Sequence, residues 1–112
     1  MRLTRKQKEE LKKELILSLS SDQEIVRIVI FGSFADSDNP NDIDVAVFQE
    51  SNEGYLTLSM KYRRQTRTIS ERIPLDIFPV RSEITADPFL SEIRQGEVIY
   101  ERRNSDMAEV CG

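Results

Sequence analysis

The chain has 112 residues, with sixteen Lys and Arg against twenty Asp and Glu for a formal net charge of −4, which suits one small domain and argues against generic attraction to nucleic acid. With no histidine and one cysteine, Cys111, a Cys/His zinc site and an internal disulfide are excluded, and a reducing cytoplasm fits. No long apolar run or signal-peptide pattern stands at the N-terminus, so neither membrane insertion nor secretion is expected.

The first element reads as a helix over residues 4–19. Thr4 with Gln7 three residues on is a capping-box pattern, and Leu11, Leu15 and Leu19 form a stripe that should pack on a sheet. The charges on the other faces, from Lys6 through Lys8 and Lys12 to Glu14, read as a solvated face. Residues 25–31 are β-branched and almost wholly apolar, the pattern of a strand covered on both sides, and they end at Gly32-Ser33. Residues 34–41, F-A-D-S-D-N-P-N, form a polar loop without a cation, in which Asp36 and Asp38 would repel a polyphosphate. A calcium loop beginning at Asp36 is excluded, because Asn41 stands where an EF-hand needs glycine and Val47 where it needs the bidentate glutamate.

Residues 42–48, D-I-D-V-A-V-F, read as a second strand, and its period of two projects Asp42 and Asp44 from the same face. Two adjacent carboxylates repel unless something positive lies between them, and Mg²⁺, which takes oxygen ligands from one or two carboxylates, is the simplest candidate. Turn chemistry at Asn39-Pro40-Asn41 accounts for Asp42 but not for Asp44 inside the strand. A third carboxylate, Asp76, sits in the strand-like run I-P-L-D-I-F-P-V. Residues 54–72 between the runs are long enough for the crossover that parallel strands require, so Asp76 can lie beside the pair; taken alone, it could instead meet a buried arginine. That crossover reads as one helix through Leu58, Tyr62 and Ile69. It carries Lys61, Arg63, Arg64, Arg67 and Arg72 against Glu71, which is either a solvated face, the favoured reading, or a contact surface for an acidic partner or a polyanionic substrate. Beyond Pro79, a helix capped at Asp87-Pro88 stops at Gly96, residues 98–100 form a last strand, and residues 101–112 should fray. The domain is therefore expected to span residues 1–103, with 104–112 a disordered tail.

In this order, Gly32-Ser33, a short loop, D-x-D, a helix and the apolar-flanked Asp76 resemble the minimal nucleotidyltransferases of the DNA polymerase beta superfamily, over residues 25–100. The run L-S-E-I-R-Q-G-E-V-I-Y is similar to that family's closing helix, glycine and strand. The resemblance implies an α+β nucleotidyltransferase fold, a small mixed sheet of about four strands with helices packed on it. It implies that Gly32 and Ser33 receive a nucleoside triphosphate such as ATP, that Asp42 and Asp44 bind two Mg²⁺ ions, and that Asp76 completes the catalytic metal site. Minimal members act beside a HEPN protein as the antitoxin that adenylylates a tyrosine of that ribonuclease toxin. Transfer of AMP to a hydroxyl of such a partner is therefore the first expectation. A catalytically weak module that neutralises its partner by contact, and a small-molecule transferase completed by homodimerisation, are the alternatives.

Overall fold

The computed structural model describes residues 2–37, 39–81 and 93–102. Helix α1 (Arg5–Leu19) begins as its capping box requires: Thr4 Oγ1 accepts from the Gln7 amide at 3.1 Å, and Gln7 Oε1 accepts from the Thr4 amide at 2.8 Å. Strand β1 (Ile25–Phe31), the single turn α2 (Ser33–Asp36), strand β2 (Ile43–Gln49), helices α3 (Tyr55–Gln65) and α4 (Arg67–Ser70), and strands β3 (Leu75–Arg81) and β4 (Glu97–Glu101) follow. The strands form one sheet in the order β3-β2-β1-β4, with β2 and β3 parallel and the other pairs antiparallel. The parallel pair is possible because α3 and α4 carry the chain from the end of β2 back to the start of β3. This is the expected mixed α+β architecture, and among the described residues no helix is long and apolar enough to cross a membrane.

Side-chain alternation gives the sheet two unlike faces. Ile28, Ile30, Ile43, Val45 and Ile77 point into a core closed by the Leu11, Leu15 and Leu19 stripe of α1 and by Leu58, Tyr62 and Ile69. Leu15 and Leu19 retain no exposed surface, and each such side chain contributes about 1.5–3 kcal/mol by burial. On the opposite face Val29, Phe31 and Ala46 join Ile93 in a smaller cluster flanked by Phe48, Phe78 and Val80. Strand β1 is buried on both sides, as its composition foretold.

Five expectations need correction. Residues 34–41 are not all polar loop: Ser33–Asp36 form the turn α2, with Phe34 buried in the core. The basic crossover is not one helix: it breaks at Thr66, whose hydroxyl donates to the Tyr62 carbonyl at 2.8 Å and the Arg63 carbonyl at 3.4 Å. A buried β-branched residue bonded back to its own helix bends it, and the short turn that follows brings Ile69 and Ile73 into the core. The charges of α1 are not all solvated, since Lys12 pairs with Glu9 at 3.0 Å and Glu97 at 2.8 Å, and Glu14 pairs with Arg72. Residues 101–102 are not frayed: Glu101 ends β4 and pairs with Arg27 at 3.0 Å, while the Arg102 amide donates to the Val26 carbonyl at 2.7 Å and its guanidinium to Glu50 at 3.0 Å. Gly96 is more than a helix stop, because a Cβ there would lie 2.8 Å from Phe31 Cβ and collide with the Ile30 carbonyl; only glycine lets the chain pass β1 so closely. The helix expected from Asp87, apart from its last residues, and the tail 104–112 lie outside the described residues.

The turn into β1 is tied to α3 through Glu24, whose Oε2 accepts from Lys61 Nζ at 2.8 Å and from the Tyr62 hydroxyl at 3.2 Å. Burial works to raise the Glu24 pKa, but the Lys61 hydrogen bond and charge outweigh it and hold the carboxyl below its usual value. The Tyr62 phenol is pushed up by burial and by the same carboxylate. A carboxylate whose folded pKa is depressed stabilises the fold above its unfolded pKa, and that contribution is lost as the pH falls through the folded value. Glu24→Gln, which keeps an acceptor for Lys61 and Tyr62 but removes the charge, is therefore expected to cost about 1 kcal/mol or less at neutral pH. Thermal melts should show the gap from wild type closing as the buffer is acidified below the glutamate range.

Candidate metal and nucleotide site

Asp44 is the second residue of β2 and Asp76 the second of β3. The parallel register sets these two directly opposite each other, with Ile43 opposite Leu75 one step before. The Ile43 amide donates to the Pro74 carbonyl at 2.9 Å, which keeps the two strand starts level. By alternation both carboxylates stand on the face of Ala46 and Phe78, away from the helices, and Asp42, two residues before Asp44, projects to the same side. One carboxylate oxygen from each of Asp42, Asp44 and Asp76 lies within 4.8 Å of the other two, with Asp42 and Asp44 half-buried and Asp76 exposed. Three like charges this close favour a cation among them. A donor set made only of carboxylate oxygens fits a hard divalent ion such as Mg²⁺.

The end of β1 completes the wall. Phe31 pairs with Asp44, so Gly32 comes to lie beside that carboxylate, with a φ of +78°. A Cβ on Gly32 would run into Asp44 Oδ2, so glycine is demanded by both the backbone and the contact. Ser33 follows at the head of α2, a turn closed by the Ser37 amide donating to the Ser33 carbonyl at 2.8 Å. The Phe31 and Phe78 rings, 5.8 Å between centroids, form an apolar shelf on the same face. Of the residues singled out from sequence, Asp42, Asp44, Asp76 and Gly32 thus converge, and Ser33 adjoins them along the chain.

One residue escaped sequence reasoning. Lys8 of α1 donates from Nζ to the Phe34 carbonyl at 2.8 Å and to the Ser37 carbonyl, and its ammonium stands 5.2 Å from the centre of the Phe34 ring. The loop that lacks a cation of its own receives one from a distant helix. No local pattern separates Lys8 from its solvated neighbours.

The basic crossover divides in two. Lys61 pairs with Glu24 at 2.8 Å and Asp22 at 3.8 Å, and Arg72 pairs with Glu14, so these balance acidic neighbours. Arg63, Arg64 and Arg67 are exposed and form no ion pair among the described residues. Leu56 and Met60, 70% and 55% exposed, precede Arg63 and Arg64 at helical spacing on the same side of α3. A cavity of about 130 Å³ lined by Gln49, Gly54, Tyr55, Leu58, Pro79 and Arg81 lies where β2 and β3 end, remote from the carboxylates at their starts.

The family described as polymerase beta, nucleotidyltransferase, matches residues 13–105. Among curated proteins none matches the chain significantly. A chain in the solved complex of a tri-AMPylated Shewanella oneidensis HEPN toxin with an MNT antitoxin superposes with a TM-score of 0.56, at 20% identity, over 90% of this chain and 78% of that one. A chain in the toxin–antitoxin complex MntA-HpeT, a mutant with two aspartates two positions apart changed to glutamate, gives 0.58 at 15% identity, over 87% of this chain and 78% of that one. At these identities the likeness is one of fold.

A ligand that binds only the folded state stabilises it by about 2.7 kcal/mol at a hundred times its dissociation constant. Saturating Mg²⁺ or Mn²⁺ is therefore expected to raise the melting temperature of the wild type, and Asp76→Asn to lose most of that shift. In metal-free buffer Asp76→Asn should melt no earlier than wild type, since it removes repulsion and not a partner. A much earlier metal-free melt would make Asp76 structural.

Proposed function

The chain belongs to the polymerase beta nucleotidyltransferase family, and from that premise we propose that it transfers AMP from ATP to a hydroxyl of a HEPN-type partner protein in the cytoplasm, acting as that toxin's antitoxin. The observation that carries the reading is the convergence of Asp42, Asp44 and Asp76 on one sheet face. The choice of acceptor is supported by the fold neighbours, both toxin–antitoxin complexes, one of them with an AMP-modified HEPN toxin.

Asp42, Asp44 and Asp76 would hold Mg²⁺, which would supply charge neutralisation for the triphosphate. Asp76, exposed on a strand at the sheet's edge, meets the acceptor hydroxyl and takes its proton as that oxygen bonds to the α-phosphorus. The bond from the α-phosphorus to the β-phosphate oxygen breaks in line, and pyrophosphate leaves. Gly32 leaves the space beside Asp44 open, and the Ser33 hydroxyl with the amides of the turn donates to the phosphates. Arg63, Arg64 and Arg67, with Leu56 and Met60, offer the partner a basic surface with apolar contacts.

The second reading, neutralisation by contact alone, is favoured by one feature: Asp36 ends the phosphate-binding turn itself and Asp38 follows two residues later in sequence. Incubation with ATP labelled at the α-phosphate, Mg²⁺ and the protein encoded beside it separates the two. Wild type should label the partner on a tyrosine, and Asp76→Asn should do so about 10²–10⁴-fold more slowly, the usual contribution of a positioned proton acceptor. Equal silencing by both proteins with no label incorporated would replace transfer by contact.

Reversal of Arg63 and Arg64 to Glu is expected to slow association with the partner at low salt. The difference should shrink as ionic strength rises, because exposed charges act mainly on encounter and are screened. Stopped-flow association across a salt series reads the effect, and the rate of transfer within the formed complex should be unchanged.

A further inference from the structure

We infer that Lys8 is a positioning residue for the nucleotide-binding turn, holding α2 beside the carboxylates from a helix that otherwise stands outside the site. The inference rests on the nucleotidyl-transfer reading for its consequence, and on geometry for the contact itself.

The turn after β1 is held by the buried Phe34 and by two backbone bonds, from the Ala35 amide to the Gly32 carbonyl at 3.1 Å and from the Ser37 amide to the Ser33 carbonyl at 2.8 Å. Helix α2 is four residues long, far below the length at which a helix sustains itself, and its final carbonyls have no partners within so short a turn. Lys8 Nζ supplies donors to two carbonyls, Phe34 at 2.8 Å and Ser37, which bracket the end of α2. A cation is the favoured charge at a helix C-terminus. Phe34 is the hydrophobic anchor of the same turn, 1% exposed in the helix-side core, and the Lys8 ammonium lies over its ring at 5.2 Å. One side chain therefore fixes the turn's backbone and covers its anchor. It does so in a segment, 34–41, whose own charged residues are Asp36 and Asp38.

The role is separable from the fold. Helix α1 is held to the sheet by Leu11, Leu15 and Leu19, to β4 by Lys12 and Glu97, and by Glu14 to Arg72, two residues after α4. Removing the Lys8 ammonium leaves all of these in place and frees only the turn. What moves with the turn is Gly32 and Ser33, so the expected consequence is loss of phosphate affinity and not loss of the proton acceptor. A compact ammonium with rotatable donors suits two carbonyls better than a planar guanidinium, so Lys8→Arg should restore the charge but only part of the geometry.

The test uses the full chain as wild type, Lys8→Met and Lys8→Arg. Amide exchange in Lys8→Met should accelerate about tenfold or more over residues 33–37, the loss expected for a charged hydrogen bond, with the strands unaffected and the melting temperature little changed. In the transfer assay the KM for MgATP should rise by about the same factor while kcat stays within about twofold, the opposite of Asp76→Asn, and Lys8→Arg should fall between. Unchanged exchange over residues 33–37, or acceleration spread evenly over the sheet, would overturn the inference, as would a fall in kcat with KM unaltered. A wild type that binds no MgATP would defeat the transfer reading instead, and the hold of Lys8 on α2 would still be decided by the exchange comparison.

Discussion

The parallel pairing of β2 with β3, in the register that sets Asp44 against Asp76, is the constraint on which the rest of the molecule depends. A slip of one residue would turn Asp76 toward α1 and α3 and bring Ile77 out to the polar face. That slip is opposed from the far side of the sheet, where Ile43, Val45, Val47 and Ile77 are all buried in the helix-side core. Hydrophobic burial on one face therefore determines where charge sits on the other. The crossover through α3 and α4 exists to make such a pairing possible, since adjacent parallel strands cannot be joined by a tight turn.

The arrangement works against its own stability. Two unit charges about 4 Å apart repel by about 4 kcal/mol at an effective dielectric of 20, and by about 1 kcal/mol in water. Where each carboxylate falls between these limits follows its exposure: Asp42 and Asp44 are half-buried, Asp76 is exposed. Keeping Asp76 in solvent lowers the cost of the cluster, and it leaves open the side from which an acceptor hydroxyl would come. Strain of this kind belongs where function uses it. Here the side chains of Leu15, Leu19 and Tyr62 are fully withdrawn from water, and their burial works in the opposite direction.

Sequence and structure agree where the signal is local. The period of two at Asp42 and Asp44, the capping box at Thr4, and the apolar run of β1 each lie within a few residues and could be read directly. The place of Asp76 took one further step, an argument from crossover length, and it held. The failures share a different cause. Thr66 is a weaker helix former than Gln65 and Arg67, by only about a few tenths of a kcal/mol, and the break there follows from its buried hydroxyl and from the burial of Ile69 and Ile73. Lys8 looks like any helix lysine until its partners twenty-six and twenty-nine residues away are known. Arg102 lies in a stretch without periodicity, yet two charged hydrogen bonds extend order past β4. Polar side chains reaching across the fold leave no periodic trace, whereas apolar ones do.

That asymmetry also governs how charge is divided in a chain with four more acids than bases. Lys8, Lys12, Lys61, Arg72 and Arg102 are engaged internally, each joining elements far apart in sequence. Arg63, Arg64 and Arg67 are not so engaged among the described residues, and they sit in the helical layer, while the carboxylates occupy the opposite face of the sheet. A basic surface and a cluster of carboxylates would cancel each other if adjacent, since opposite charges within a Debye length of about 8–10 Å neutralise each other's field. A sheet one strand thick keeps them apart. The two layers meet at β3, the edge strand of the described sheet, on which α3 packs and from which Asp76 projects into solvent.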